Sequence, residues 1–139
     1  YNMFYANFTL DSNIVHRGRC VAAIQPQGVT LHGRVPLEMY LNGIAGSMFC
    51  FCPNGSGIDS CRTWEALYLR SIPVVTRSFI ASERNDIPMI VLEDWTESEF
   101  SRVGFSKTLY EDVWGDFDET VLYMDKYCAR LNAEHGLDL

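Results

Sequence analysis

The stretch FCFCPNGSGIDSCRTWEALYLRSIPVV, Phe49 to Val75, holds a strand, a loop, a helix and a second strand in one run. A short apolar segment stops at Pro53. A loop with Gly55 and Gly57 follows, then Asp59, then a helical pattern with Arg62 and Glu65 one turn apart. The β-branched segment IPVV closes the unit. Apolar runs without polar alternation, such as SMFCFC and IPVV, suit strands buried on both faces of a parallel sheet. The whole unit reads as β-α-β.

The rest of the chain repeats the alternation. NMFYANF, GVTL and PMIVLED read as strands. DSNIVHRGRCVAAI reads as a helix capped by Asp11 or Ser12, and PLEMYLNGIAG as a helix with Pro36 at its first turn. DSCRTWEALYL gives the helix of the central unit. ESEFSRVGFSKTLYEDVW and DETVLYMDKYCARLNAEHG are predicted helical, the last closing at Gly136. Tyr123, Tyr127 and Leu131 stand at helical spacing and read as core. Strands alternating with helices predict an α/β domain of three layers, Rossmann-like, with a mostly parallel sheet. No linker or repeat divides residues 1–139, so a single domain is expected. The chain opens at Tyr1 without an initiator Met, which reads as a piece of a longer protein.

In open parallel sheets ligands sit beyond the carboxyl ends of the strands. Four segments should meet there: Asn7 to Asn13, Pro53 to Arg62, Thr76 to Ser78 and Glu93 to Thr96. Within the second, Gly55 and Gly57 are expected to turn the backbone tightly and, with Ser56, to present N–H groups. Asp59 or Ser60 would cap the helix, whose dipole favours an anion. Arg62 adds a fork of donors shaped for phosphate. Glu65 shares its face and can accept hydrogen bonds from a diol such as a ribose. Phosphate donors followed by a diol acceptor describe a nucleoside diphosphate along a helix. The competing reading is a surface ion pair between Arg62 and Glu65, with glycines that serve only the turn. The loop lacks both the full G-x-G-x-x-G of dinucleotide folds and the G-K-[ST] ending of ATP-hydrolysing loops.

Composition narrows the partners. The 139 residues are 47% hydrophobic and carry a net charge of -7, so general binding to nucleic acid or anionic membranes is not expected. No apolar run reaches the ~20 residues of a membrane span. The five cysteines and three histidines lack zinc-site spacing, and the cysteines read as reduced thiols, which favours the cytoplasm. Two glycosylation sequons, at Asn7 and Asn54, would matter only in a secretory lumen. Asp116 and Asp118 form a D-x-D, a pattern that can hold a metal, but they open a helix, where acids serve the cap; no metal site is expected.

Residues Phe51 to Val75 resemble the donor-site signature of exostosin-like GT-B glycosyltransferases, which runs C-P-x-G-x-G-x-D-x-x-R-x-W-E-A-L-x-x-G-x-I-P-V-V. Cys52, Pro53, Gly55, Gly57, Asp59, Arg62, Trp64, Glu65, Ala66, Leu67 and Ile72 to Val75 match. NFTLDSNIVHR and IPMIVLEDW are similar to flanking segments of the same group. The resemblance implies the C-terminal, donor-binding half of a two-domain enzyme. Arg62 would neutralise the diphosphate and Glu65 would bind the ribose, with Arg17 turned towards the cleft and Trp95 either lining the donor edge or packing. It implies a nucleotide-sugar donor, a glycan or glycoconjugate acceptor, no metal cofactor, and a partner N-terminal domain; a truly exostosin-like protein would work in the Golgi lumen. Alone, the chain is expected to bind nucleotide without turnover. The alternative is a non-catalytic Rossmann-type nucleotide-binding or interaction domain. One departure is plain: Arg70 stands where the family has a helix-ending glycine.

Overall fold

The computed structural model describes residues 1–79, 82–123 and 132–136. Among the described residues five strands form one parallel sheet: β1 (Asn2–Asn7), β2 (Leu31–His32), β3 (Ser47–Phe51), β4 (Ile72–Thr76) and β5 (Ile90–Leu92), in the order β2-β1-β3-β4-β5. The register pairs Phe4 with Phe49, Phe49 with Ile72, and Val74 with Ile90. The α-helices that accompany them include α1 (Ile14–Ile24), α2 (Leu37–Ala45), α3 (Cys61–Tyr68), α4 (Glu97–Val103) and α5 (Lys107–Trp114).

Period-2 alternation sends strand side chains to two cores. Tyr5, Cys50 and Val75 face α2 and α3, where they meet Ile44 and Ala66. Ala6, Phe49, Phe51 and Val74 face the other way, onto Cys20, Ala23 and Ile24 of α1, Phe100 of α4 and Trp114 of α5. The chain is therefore the three-layer Rossmann-like α/β domain that its alternation predicts. Among the described residues no helix is long and apolar enough to cross a membrane.

Several local expectations change. The cap of α1 is Asn13, not Asp11 or Ser12: its Oδ1 accepts the His16 N–H at 3.2 Å. The long helix expected after Glu97 is two helices. Gly104 ends α4 at a φ of 63°, and Ser106 caps α5 through the Leu109 N–H. Of the last predicted helix, residues Glu119–Leu122 form a 3-10 turn. Tyr127 and Leu131 lie outside the described residues, as does Cys128, and Tyr123 is exposed rather than core. Gly136 does close a helical segment, its N–H bonding the Asn132 carbonyl at 2.8 Å.

Arg70 resolves its own departure from the family pattern. It takes the left-handed conformation at a φ of 62° and ends α3 as glycine would. The Arg70 N–H bonds the Leu67 carbonyl at 3.2 Å, and the Ser71 N–H bonds the Ala66 carbonyl at 2.9 Å, the two bonds of a Schellman ending. The side chain holds the strained residue in place. Its Nη1 meets Glu119 at 2.7 Å and its guanidinium lies 4.7 Å from the Trp114 ring centroid.

Candidate functional site

The strand order fixes where a ligand belongs. From β1 the chain crosses to β2 on one side, and from β3 it crosses to β4 on the other. The crevice between the carboxyl ends of β1 and β3 is thus the topological switch point of a doubly wound sheet. Two loops flank it, residues 8–13 after β1 and residues 52–60 after β3.

Arg17 and Asn13 tie those loops together. Arg17 is only 6% exposed. Its Nε donates to the Asn54 carbonyl at 3.1 Å and its Nη1 to the Thr9 carbonyl at 2.5 Å, one acceptor from each loop. Asn13 Nδ2 donates to the Gly55 carbonyl at 3.1 Å while its Oδ1 caps α1. Arg17 is thus a buried tie between the two loops and not a solvated charge.

The glycines act differently from expectation. Neither Gly55 nor Gly57 has a positive φ. Gly55 is small because Arg17 is close: a Cβ there would stand 2.9 Å from Nη2. Gly57 has open space where a Cβ would point. With Ser56, it forms the exposed tip of the loop. Asp59 is also exposed, and its Oδ1 accepts from the Ser60 N–H at 2.8 Å and the Trp64 indole at 3.0 Å. That pins the entry to α3. Ser60 holds the cap position but its side chain makes no cap hydrogen bond, which leaves the first turn open to another acceptor.

Arg62 and Glu65 do not pair. Glu65 Oε2 instead accepts the Tyr40 hydroxyl, from α2, at 2.5 Å. Arg62 leans over Phe8, 5.7 Å from its ring centroid, and Arg17 lies 5.8 Å from the same centroid. Arg62 Nε is buried without a hydrogen-bond partner. Among the described residues no carboxylate pairs with Arg62 or Arg17. Burial holds the Arg17 guanidinium below its ordinary value, and the neighbouring Arg62 adds to this. Two adjacent cations without an acid, in a chain of net charge -7, form a local reversal of sign.

Trp95 packs. It is 4% exposed, edge-on to Phe51, and its indole Nε1 donates to His16 Nε2 at 3.0 Å. His16 thus stands at the ligand edge, in the first turn of α1. Because Nε2 accepts from Trp95, the neutral ring carries its proton on Nδ1. Burial holds His16 below its ordinary value, while Asp94 pulls it up and Arg19 and Arg17 push it further down. Asp94 itself pairs with Arg19.

Thr76, the last residue of β4, and Ser78 just after it bring hydroxyls to the same edge. Ser78 Oγ accepts from Asn54 Nδ2 at 2.8 Å and lies 2.7 Å from Thr76 Oγ1. Asp118 caps the 3-10 turn through the Thr120 N–H. Among the described residues no group of three or more histidine, cysteine or acidic side chains is placed to hold a metal ion. No protein-family model matches this sequence, and no curated protein does.

Proposed function

We propose that this chain is the donor-binding domain of a nucleotide-sugar-dependent glycosyltransferase of GT-B type. One observation carries the reading: the guanidiniums of Arg62 and Arg17 lie 5.7 and 5.8 Å from the Phe8 ring centroid, at the switch point of the sheet, and neither pairs with a carboxylate among the described residues. Two cations that share a ring and lack an acid need an anion, and a diphosphate supplies the matching charge. Arg62 and the open first turn of α3 face that anion. Arg17 sets the loop that cradles it and leaves Nη2 beside Gly55. Glu65, drawn away from Arg62, is free to accept from a ribose. The signature from Cys52 to Val75 supports the same assignment.

In this reading the site's chemical work is electrostatic. Breaking a glycosyl–phosphate bond builds negative charge on the leaving diphosphate, and donors already in position stabilise that charge without reorganising. No divalent ion is required, because Arg62 and the helix dipole meet the charge. The acceptor surface belongs to a partner N-terminal domain, so residues 1–139 alone bind a donor and do not transfer its sugar.

A thermal-shift series against UDP-, GDP- and dTDP-sugars tests the reading. A ligand at 100 times its Kd stabilises the fold by about 2.7 kcal/mol. Arg62→Ala should then weaken nucleoside-diphosphate binding about tenfold or more, since charged hydrogen bonds are worth roughly 1.5–3 kcal/mol. Unchanged affinity by calorimetry removes Arg62 from the site.

A further inference from the structure

The nucleoside-diphosphate reading places Glu65 on the ribose, and the inference that follows rests on it. We infer that Tyr40 is the positioning residue that aims Glu65 at the ribose and keeps it off Arg62.

The two roles conflict in the bare helix. Arg62 and Glu65 are three residues apart on one face, where opposite charges attract. A pair between them would cancel the cation needed for the diphosphate and the acceptor needed for the ribose. Tyr40 breaks that pair. Its hydroxyl is a donor without charge, so it holds Glu65 Oε2 at 2.5 Å and leaves both formal charges in place. Oε1 stays open to a ligand hydroxyl.

Tyr40 is itself held from below. Its ring lies 6.4 Å from that of Tyr5 on β1, and Tyr5 stacks on His32 at 5.2 Å. The Tyr5 hydroxyl accepts from Asn7 Nδ2 at 3.0 Å. Gly43 of α2 leaves the notch for the Tyr5 ring, since a Cβ there would stand 2.3 Å from it. Tyr40 is in the first turn of α2, and Glu65 is one turn into α3, three residues after Arg62. Burial, and then the bond to Glu65, pushes the Tyr40 hydroxyl upward, so it keeps its proton through the neutral range.

The test compares ribose-bearing and ribose-stripped ligands. Calorimetry would measure uridine and guanosine diphosphates and their 2′,3′-dideoxy counterparts against the wild type, Tyr40→Phe and Glu65→Gln. The wild type should prefer a ribonucleotide about tenfold, the worth of one charge-assisted hydrogen bond. Tyr40→Phe keeps the ring and should bring that preference close to one; Glu65→Gln should do the same without touching Tyr40. A tyrosine that only braces α2 against α3 would lower melting temperature and leave the preference intact, and that result overturns the inference. Equal wild-type affinity for ribo and dideoxy ligands overturns it as well, while the diphosphate site stands. Binding of neither kind by the wild type overturns the nucleotide reading and this inference together.

Discussion

Two alanine substitutions two residues apart should behave oppositely. At Gly55 a Cβ would sit 2.9 Å from Arg17 Nη2, 3.8 Å from its Cζ and 3.9 Å from Ser12 Cβ. An exposed arginine would swing aside. Arg17 cannot, because it is buried and its Nε and Nη1 are bound to the Asn54 and Thr9 carbonyls. The added carbon must break one of these bonds or part the loops. A hydrogen bond from a charged donor is worth roughly 1.5–3 kcal/mol, so Gly55→Ala should cost about that much. For a domain of this size 1 kcal/mol moves Tm by roughly 3–5 °C, so a fall of about 5–15 °C is expected. Gly57→Ala meets open space and has no positive φ to strain. It should hold Tm or raise it slightly, since Gly→Ala at a compatible site stabilises by about 0.4–1 kcal/mol through the unfolded chain. Thermal melts of both variants by circular dichroism decide the matter. Equal melting of Gly55→Ala and wild type would falsify the Arg17 tie as a constraint; an equal loss in both variants would mean the loop resists any side chain.

Acid should weaken the fold through His16. Its folded pKa lies below the ordinary 6.5, so its contribution is fully present above 6.5 and is lost as pH falls from there through the folded value. His16→Gln should flatten the stability profile in that window, and Trp95 fluorescence should report the wild-type change; an unchanged profile removes the His16–Trp95 bond as its source. Arg70→Gly should be nearly neutral. Relief of a left-handed residue, ~1–2 kcal/mol, offsets an exposed ion pair of ~0–1 kcal/mol and a cation–π contact of about 0.5–1 kcal/mol. A loss above ~2 kcal/mol in urea melts would show that the side-chain contacts dominate. Diphosphate binding should survive chelator, and its loss there with rescue by manganese would promote Asp116 and Asp118.

The periodic features are legible in the sequence. SMFCFC and IPVV are buried on nearly every residue, and such runs suit only a sheet covered on both faces. What escaped was contact across the fold. Asn13 won the cap of α1 from Asp11 and Ser12, and it also reaches the Gly55 carbonyl. Spacing put Arg62 and Glu65 in reach of each other, but Tyr40 sits on another helix and no local pattern could show it intercepting Glu65. Gly104 was the signal for two helices after Glu97, since its left-handed φ stops α4 while the apolar period runs on past it. His16 gave no signal at all, because its partner Trp95 lies beyond β5.

The pairing of β1 with β3 also sets an order of assembly. Asn2 lies opposite Ser47 and Tyr5 opposite Cys50, so the centre of the sheet closes across α1, β2 and α2. Non-local pairing must meet the entropy of closing that long loop before any contact rewards it. During synthesis the centre of the sheet therefore stays open until the third strand has emerged, although β2 can already pair with Ala6 and Asn7. Arg17 waits longer, since the Asn54 carbonyl that receives its Nε follows β3. The anion-binding crevice is thus among the late features to form on a growing chain, and a polypeptide that stops short of residue 54 carries Arg17 without the second loop it was placed to hold.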